Sequence, residues 1–365
     1  MNVRGSGPTL AVVRQAKGAA WTQAKLAEAS GLSQGYLSKV ESGQAEIEGE
    51  SLAAVASALE VPIDLLAVRD PHFGTGVSCV HHRRRRSRLT AGSARRVEGL
   101  TQLISLSATR LLEEATSAPG VGFPELPVER FDPAEAAQRV RVEAGLGRNV
   151  PVPDVLRLVE SFGIVVVRRD LGTDAQDGVS LRVPGRRPII VINTALPADR
   201  QRFSVAHEAG HLVLHGWQVS TGDDLVEDEA NRFARELLAP QTAIRPFLTG
   251  LTERDFRPLI NLKLHWGMSI AALIEIAKRS GTIDEGTHRA FRMRLNTLGW
   301  RLVEPGVLPE ENPQLIDTAV DVHLDRLQRS VRTIAGVALM LPEPFEYHYM
   351  GHRRAGDSST AGALA

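Results

Sequence analysis

The stretch that decides the fold is HEAGH, residues 207–211, inside the apolar run 203–214. Residues four apart in a helix lie one above the other, so the side chains of His207 and His211 project together. Two imidazoles at this spacing can bind one zinc ion, and the intervening Glu208 lies beside the open position of the metal. The spacing therefore predicts a helix that carries a metal-dependent hydrolase centre.

Projected along a helix axis at about 100° per residue, the side chains of Phe203–His215 divide into a candidate ligand face and a packing face. The three histidines and Glu208 share about one third of the circumference, and the opposite side holds Val205, Ala209, Leu212 and Val213. His215 continues the series but lies roughly 12 Å from His207, too far to share a metal with it. An ordinary amphipathic helix with histidines on its polar side is the alternative, and this separation disfavours it.

Zinc needs a third protein ligand, for which the acidic cluster downstream offers Asp223, Asp224, Glu227, Asp228 and Glu229. In a helix over Val226–Leu238, Glu227 and Asn231 lie together on one flank of the apolar stripe. We therefore predict that Glu227 is the third ligand, with Glu229 and Asp224 as alternatives. Asn231 is predicted to orient a liganding histidine through its side-chain oxygen. Glu208 is the predicted catalytic residue, because it can take a proton from the zinc-bound water and deliver it to a leaving amine.

Residues 8–68 read as a set of short helices joined by tight turns. Thr22 and Ser33 are suited to cap helices, and Gly31 suits the turn between them. The expected helices are Leu10–Lys17, Gln23–Ala29, Gln34–Ser42 and one capped by Ser51. Helix, short glycine turn and helix is the layout of a DNA-binding helix-turn-helix.

The remaining pattern predicts a mainly α protein with a small β-sheet (α+β). The β-rich runs are Ile164–Val167, Val179–Val183 and Ile189–Ile192. The expected organisation is a helix-turn-helix domain at 8–68, a basic linker with an amphipathic helix (Ser93–Ala115) at 69–132, a metal-binding hydrolase domain at 133–245, a helical C-terminal region at 246–350 and a flexible tail at 351–365.

The amino-acid composition indicates the cellular compartment of the protein but does not indicate a binding partner. The 365 residues carry a formal net charge of zero, and the single cysteine, Cys79, excludes an internal disulfide framework. No apolar signal region opens the chain, and no run approaches the roughly 18 consecutive apolar residues of a membrane helix. A cytoplasmic protein without a membrane segment is expected.

The positively charged residues are concentrated after the helix-turn-helix segment and not within it. Residues 1–70 hold six Lys or Arg against eight Asp or Glu, whereas residues 81–100 hold seven Arg against one Glu. The run Arg83–Arg86 either adds phosphate contacts beside the recognition helix or is a solvated linker face. His81 and His82 beside Cys79 lack further ligands at suitable spacing, so an incidental role is expected for them.

The motifs resemble those of the ImmA/IrrE metallopeptidases over about residues 133–305. The run RQRFSVAHEAGHLVLH, 200–215, is similar to the family's HExxH motif, and EDEANRFARELLAP, 227–240, is similar to its second motif. WGMSIAALI, 266–274, resembles the segment that follows the catalytic core. The resemblance implies a zincin-like fold, a Zn²⁺ cofactor and a zinc site completed by Glu227. It also implies cleavage of a repressor.

Residues 8–68 resemble an XRE/Cro-type helix-turn-helix, notably in TQAKLA, 22–27, and LSQGYLSKVESG, 32–43. This similarity implies that a set of side chains on the second helix and its cap meets double-stranded operator DNA: Ser33, Gln34, Gly35, Ser38 and Lys39. Gln23 is implied to contact a phosphate. A homodimer is expected, because such modules usually read paired half-sites.

Two hypotheses follow for the whole chain. In the first, a DNA-binding regulator carries its own zinc endopeptidase, which cleaves a protein partner or the chain itself. In the second, the zinc domain is a sensor or interaction module without peptidase activity. The two differ at Glu208, which the first requires and the second does not. A zinc hydrolase acting on a small amide is a third reading.

Overall fold

In the computed structural model the described residues are 3–73, 78–79, 89–115, 122, 124–216, 224–300 and 303–351. They form helices packed around one small sheet, so the predicted fold class is confirmed. Several sequence predictions fall outside these residues: the run Arg83–Arg86 with the neighbouring His81 and His82, the acidic Asp223, and the tail from residue 352 onward.

The N-terminal bundle contains the expected helix-turn-helix. Its helices are α1 Gly7–Ala16, α2 Gln23–Ser30, α3 Gln34–Glu41, α4 Gly49–Leu59 and α5 Ile63–Ala67. The Thr22 hydroxyl accepts a hydrogen bond from Lys25 N, the Ser33 hydroxyl accepts one from Tyr36 N, and Gly31 turns the chain at φ 69°. The expected cap at Ser51 is wrong, since α4 begins two residues earlier and Ser51 lies inside it.

Within the described ranges the sheet has four strands in the order β1-β3-β4-β2. They are β1 Ser78–Cys79, β2 Val165–Arg169, β3 Gly178–Leu181 and β4 Ile189–Asn193. β2 and β4 are parallel, whereas β3 is antiparallel to both β4 and β1. All three β-rich runs are therefore strands, and the two-residue β1 was not predicted. β4 is buried along its whole length, which matches the apolar sequence of its first four residues, 189–192.

The side chains of the sheet alternate between two cores. Val166, Ile190 and Ile192 contribute to one core, which also contains the HEAGH helix, while Val165 and Val191 contribute to the other. The second core is covered by α6, Ala91–Ala115, together with helices from the C-terminal region. The helix inside the expected linker is thus a core helix.

Eleven further helices follow α6 within the described residues. They are α7 Pro133–Glu143, α8 Val155–Ser161, α9 Ala198–Leu214, α10 Asp224–Leu238, α11 Gln241–Leu248, α12 Phe256–Trp266, α13 Ile270–Arg279, α14 Glu285–Thr297, α15 Leu315–Asp321, α16 Val331–Val337 and α17 Pro342–Tyr349. A short π-helical turn, Val322–Arg326, continues α15. Helices α7, α8 and α10 to α14 pack into the same core as the HEAGH helix, α9. Helices α15 to α17 pack beside α6, so residues 246–350 contribute to both cores. The domain limits stay a prediction.

No single helix in the described ranges has both the length and the apolarity needed to cross a membrane. The bent pair α12 and α13, with 101° between its members, passes that test by length and composition only. Its apolar side chains, among them Leu259, Trp266 and Leu273, lie in the core around the HEAGH helix.

Candidate metal centre

Helix α9 carries the HEAGH motif between the sheet and α10. It begins at Ala198, five residues before the predicted start, and its second half is almost entirely buried. Gly210 allows α10 to approach closely, because a Cβ at this position would lie 3.0 Å from Phe233 Cδ1 and 3.2 Å from the Ala230 carbonyl oxygen. The glycine within the motif therefore determines how near the acidic helix comes to the histidines.

The three predicted ligands converge. His207 Nε2 lies 3.0 Å from His211 Nε2 and 3.5 Å from Glu227 Oε2, and His211 Nε2 lies 3.4 Å from Glu227 Oε1. All three residues are buried. Among the described residues they are the one group of three His, Cys, Asp or Glu side chains arranged to hold a metal ion.

The donor set and its spacing fit zinc. Two imidazole nitrogens and a carboxylate form a common catalytic zinc site that leaves a fourth position open. With metal–ligand bonds of about 2.1 Å in a tetrahedron, ligand atoms stand roughly 3.4 Å apart. The two distances to Glu227 match that value, and the 3.0 Å between the imidazoles is slightly shorter. The donor set and its spacing are therefore compatible with a zinc ion.

Glu208 points its carboxyl toward strand β3. Its Oε2 accepts a hydrogen bond of 2.7 Å from the Ser180 hydroxyl, whereas Oε1 is buried without a hydrogen-bond partner among the described residues. Burial raises the pKa of Glu208 to about 8, the Ser180 hydrogen bond opposes that rise, and the nearby Glu227 charge adds to it. A cation at the adjacent histidines acts in the opposite direction and favours the carboxylate. One oxygen of the Glu208 carboxyl is thus held by Ser180, and the other has no hydrogen-bond partner among the described residues.

Ser180 is a functional candidate that the sequence reasoning missed. It lies in β3 between Val179 and Leu181, and it is fully buried. A hydroxyl inside an apolar strand was the available signal, but its partner, Glu208, becomes visible only when the strand is placed against α9.

A buried chain of side chains extends from His211. His211 Nδ1 lies 3.2 Å from His215 Nδ1, and His215 Nε2 lies 3.0 Å from Glu229 Oε2. When His211 Nε2 binds a metal, Nδ1 carries the proton and donates it to His215 Nδ1, so His215 donates from Nε2 to the Glu229 carboxylate. With a metal on His211 Nε2, the His215–Glu229 pair thus accepts the hydrogen bond from His211 Nδ1, although neither residue was a favoured ligand.

Asn231 lies one helical turn after Glu227. Its side-chain nitrogen donates a 2.7 Å hydrogen bond to the Glu227 carbonyl oxygen of the same helix. This contact ties Asn231 to the backbone that carries the third ligand. Its predicted role in orienting a histidine stays a prediction.

A cleft of about 1410 Å³ opens beside the centre, and Glu227 and Asn231 line it. Its lining also includes residues of the segment 303–308, which follows α14. Glu304 anchors this segment by accepting hydrogen bonds from the backbone N–H groups at the start of α13 and from Lys263. Val303 and Val307 beside it are 77% and 88% exposed. The cleft beside Glu227 is thus lined by both polar and apolar side chains.

The second helix of the helix-turn-helix presents its predicted DNA-contact side chains to solvent. The exposed members are Ser33, Gln34, Gly35, Ser38 and Lys39, and the Ser33 hydroxyl also caps the helix. Gln23 is half-buried and donates to Glu41, which Arg14 also binds. The predicted phosphate contact of Gln23 therefore stays a prediction.

A helix-turn-helix with an exposed second helix is the architecture of a DNA-binding regulator, and an HExxH helix with a downstream glutamate is that of a metallopeptidase. Residues 14–66 match the helix-turn-helix family model, and residues 159–276 match the IrrE N-terminal-like domain of peptidase family M78. The chain thus contains an XRE-type helix-turn-helix domain at residues 14–66 and an ImmA/IrrE-type peptidase domain at residues 159–276. No curated protein matches it significantly.

Proposed function

We propose that the protein is a cytoplasmic transcription regulator that binds operator DNA and whose zinc endopeptidase domain cleaves a regulatory protein. The observation that carries the proposal is the convergence of His207, His211 and Glu227 beside a buried, half-satisfied Glu208 carboxyl. A purely structural metal site uses its ligands alone and has no need of a proton-exchanging carboxyl next to them.

The chain's own residues supply the proton transfers of peptide hydrolysis. Zinc, when held by the two histidines and Glu227, supplies Lewis acidity toward the scissile carbonyl and lowers the pKa of water. Glu208 takes a proton at Oε1 as the water oxygen bonds to the carbonyl carbon, while Ser180 holds Oε2 in place. As the C–N bond breaks, Glu208 delivers that proton to the leaving nitrogen, which leaves a carboxylic acid and an amine.

A metal-content measurement tests the ligand set. Glu227→Ala is expected to lose zinc from the purified protein, whereas Asp228→Ala, on the next residue of the same helix, is expected to retain it. Asp228 is a suitable control because its partly exposed carboxylate pairs with Arg279 on α13 rather than with the histidines. Full zinc retention in Glu227→Ala would assign the third ligand to another carboxylate, such as Glu229.

Cleavage is tested at Glu208. Glu208→Gln is expected to keep zinc and DNA binding but to lose cleavage of candidate repressors, which are incubated with the full chain with and without a chelator. Normal regulation in cells that carry Glu208→Gln would contradict the proposal and favour a sensor without peptidase activity.

DNA binding and dimerisation are tested on the N-terminal bundle. Lys39→Ala is expected to weaken binding to DNA fragments selected from a random pool, whereas Lys25→Ala is expected to bind nearly as well, since Lys25 pairs with Glu28 outside the second helix. Sedimentation of the full chain with selected DNA is expected to show two chains per site. Equal DNA binding by wild type and Lys39→Ala would contradict the proposal that the second helix contacts DNA.

A further inference from the structure

Three arginines are more than nine-tenths buried within the described ranges: Arg141, Arg169 and Arg202. Arg141 and Arg202 each donate to three backbone carbonyl oxygens, and Arg202 also pairs with Glu311. Arg169, which is 7% exposed, has neither a carbonyl acceptor nor a carboxylate partner in the part of the chain that the structure describes. Its burial is therefore not explained by the contacts that hold the other two.

The neighbours of the Arg169 guanidinium lie mainly on α17. Its central carbon lies 5.2 Å from the centre of the Tyr349 ring, and the Tyr349 hydroxyl is its hydrogen-bonding neighbour. Desolvation and the Arg169 charge lower the pKa of His348 to about 4, so this imidazole is neutral at pH 7. Asp170, the next residue, accepts a hydrogen bond from Gly172 N at 2.7 Å. The guanidinium thus carries its charge beside neutral side chains.

A buried charge without a counter-charge is costly, and buried charges in proteins are normally paired. Burial lowers the pKa of Arg169, but an arginine side chain stays protonated in a protein. An anion bound at the guanidinium supplies the missing partner. The planar fork of its N–H groups matches a carboxylate or a phosphate group, which it binds with two parallel hydrogen bonds.

Arg169 lies on the face of the sheet that is turned away from the candidate metal centre. Val165 and Val167 point into the core that also contains Tyr349, and strand alternation places Arg169 on that same face. The HEAGH helix packs into the other core. Arg169 is the last residue of β2 and is followed by the exposed Asp170, so the guanidinium lies near the surface.

We propose that Arg169 anchors a binding site for a small oxyanion, a carboxylate or a phosphate group, on the side of the sheet opposite the candidate metal centre. The neutral imidazole of His348 carries one N–H and can donate it to the same anion. The alternative is that Arg169 only stacks on Tyr349 and thereby holds α17 in place. The two differ in whether an added anion changes the protein through Arg169.

The test follows arginine Nε–H signals by NMR in the full chain labelled with 15N-arginine. Inorganic phosphate and acetate are added separately, with chloride keeping the ionic strength constant. Arg169→Lys identifies the Arg169 signal, because lysine lacks the Nε–H group but keeps the charge. Arg139→Met is the matched control for Arg169→Met, since Arg139 lies 4.5 Å from the centre of the Phe131 ring but pairs with Glu135.

At least one anion is expected to move the Arg169 signal to saturation, with half-saturation below about 10 mM, whereas the Arg139 signal is not expected to saturate. A response to phosphate alone assigns a phosphate ligand, and a response to acetate alone assigns a carboxylate. Arg169→Lys is expected to bind that anion at least about threefold more weakly, as judged by the anion concentration that half-maximally raises its thermal midpoint.

The same anion is expected to raise the thermal midpoint of wild type and Arg139→Met by at least about 2 °C, and that of Arg169→Met by less than half as much. An Arg169 signal that does not saturate with either anion would overturn the proposal, and so would an equal rise in the midpoint of Arg169→Met. If Arg169→Met does not fold, the wild-type signal and Arg169→Lys still decide the result. No readout requires zinc or peptide cleavage.

Discussion

The His211–His215–Glu229 chain yields a quantitative prediction for His215→Phe, which keeps an aromatic ring but removes both nitrogens. In the zinc-bound state His211 Nε2 is a ligand, so Nδ1 must carry a proton, and the variant leaves that buried N–H without the acceptor that His215 provides at 3.2 Å. Without zinc the proton can move to Nε2, which lies 3.4 Å from Glu227 Oε1. The loss of this hydrogen bond is therefore expected to destabilise the zinc-bound state more than the zinc-free state.

An unsatisfied buried donor costs about 1–3 kcal/mol, and loss of an outer partner of a metal-bound histidine typically lowers metal affinity 10–100-fold. We expect a drop in zinc affinity of that size for His215→Phe. Glu229→Gln is expected to show a smaller drop, since the amide oxygen still accepts from His215 Nε2 but lacks the charge.

The assay is competition for zinc between the full chain and a chromophoric chelator, with Asp228→Asn as the control on the same helix. Its carboxylate is partly exposed and pairs with Arg279 instead of with the histidines. An unchanged zinc affinity in His215→Phe, with the fold intact by circular dichroism, would refute the tautomer reasoning.

Three further predictions concern packing and pH. Gly210→Ala places a Cβ 3.0 Å from Phe233. Overpacking costs about 1–3 kcal/mol, whereas alanine gains about 1 kcal/mol of helix propensity over glycine. Chemical denaturation is therefore expected to show a net loss of up to about 2 kcal/mol in the free energy of unfolding, together with weaker zinc binding. Gly99→Leu drives a side chain into the backbone of α1, where a Cβ would already lie 2.9 Å from the Val12 carbonyl oxygen, so the thermal midpoint is expected to fall by several degrees; an unchanged midpoint would show that α1 and α6 can separate freely. Burial raises the pKa of Glu160 from its ordinary 4.5 to about 7, so the protonated carboxyl favours the folded state below pH 4.5 and this contribution is lost as the pH rises toward 7. Glu160→Gln is expected to flatten the free energy of unfolding across that window, and an unaltered pH profile would contradict the assignment.

The parts of the site that depend on helical periodicity were predictable. His207, His211 and Glu227 were chosen by their positions on two helical wheels, and the structure brings those three side chains together. Their roles as ligands stay predictions until metal is measured. The exposure of the second helix of the helix-turn-helix followed from the same local signals, namely caps at Thr22 and Ser33.

What escaped prediction depends on contacts between distant segments. Ser180 reaches Glu208 from another element, and the two-residue β1 is too short to leave any periodicity in the sequence. The wheel likewise identified the apolar side of α6 but not its partners, so a core helix was read as part of a linker. A capping residue marks the start of a helix only if the residues before it are not helical. Because α4 already begins at Gly49, the predicted cap at Ser51 was wrong.

Helix α6 belongs to two cores at once. Leu106 packs into the core of the helix-turn-helix bundle, whereas Ile104 and Leu111 pack against the sheet that carries β3. If the bundle tilts when it binds DNA, that tilt therefore strains the scaffold of the candidate metal centre. Thermodynamic linkage makes that strain reciprocal: whatever factor DNA imposes on zinc or peptide affinity, zinc or peptide must impose on DNA affinity.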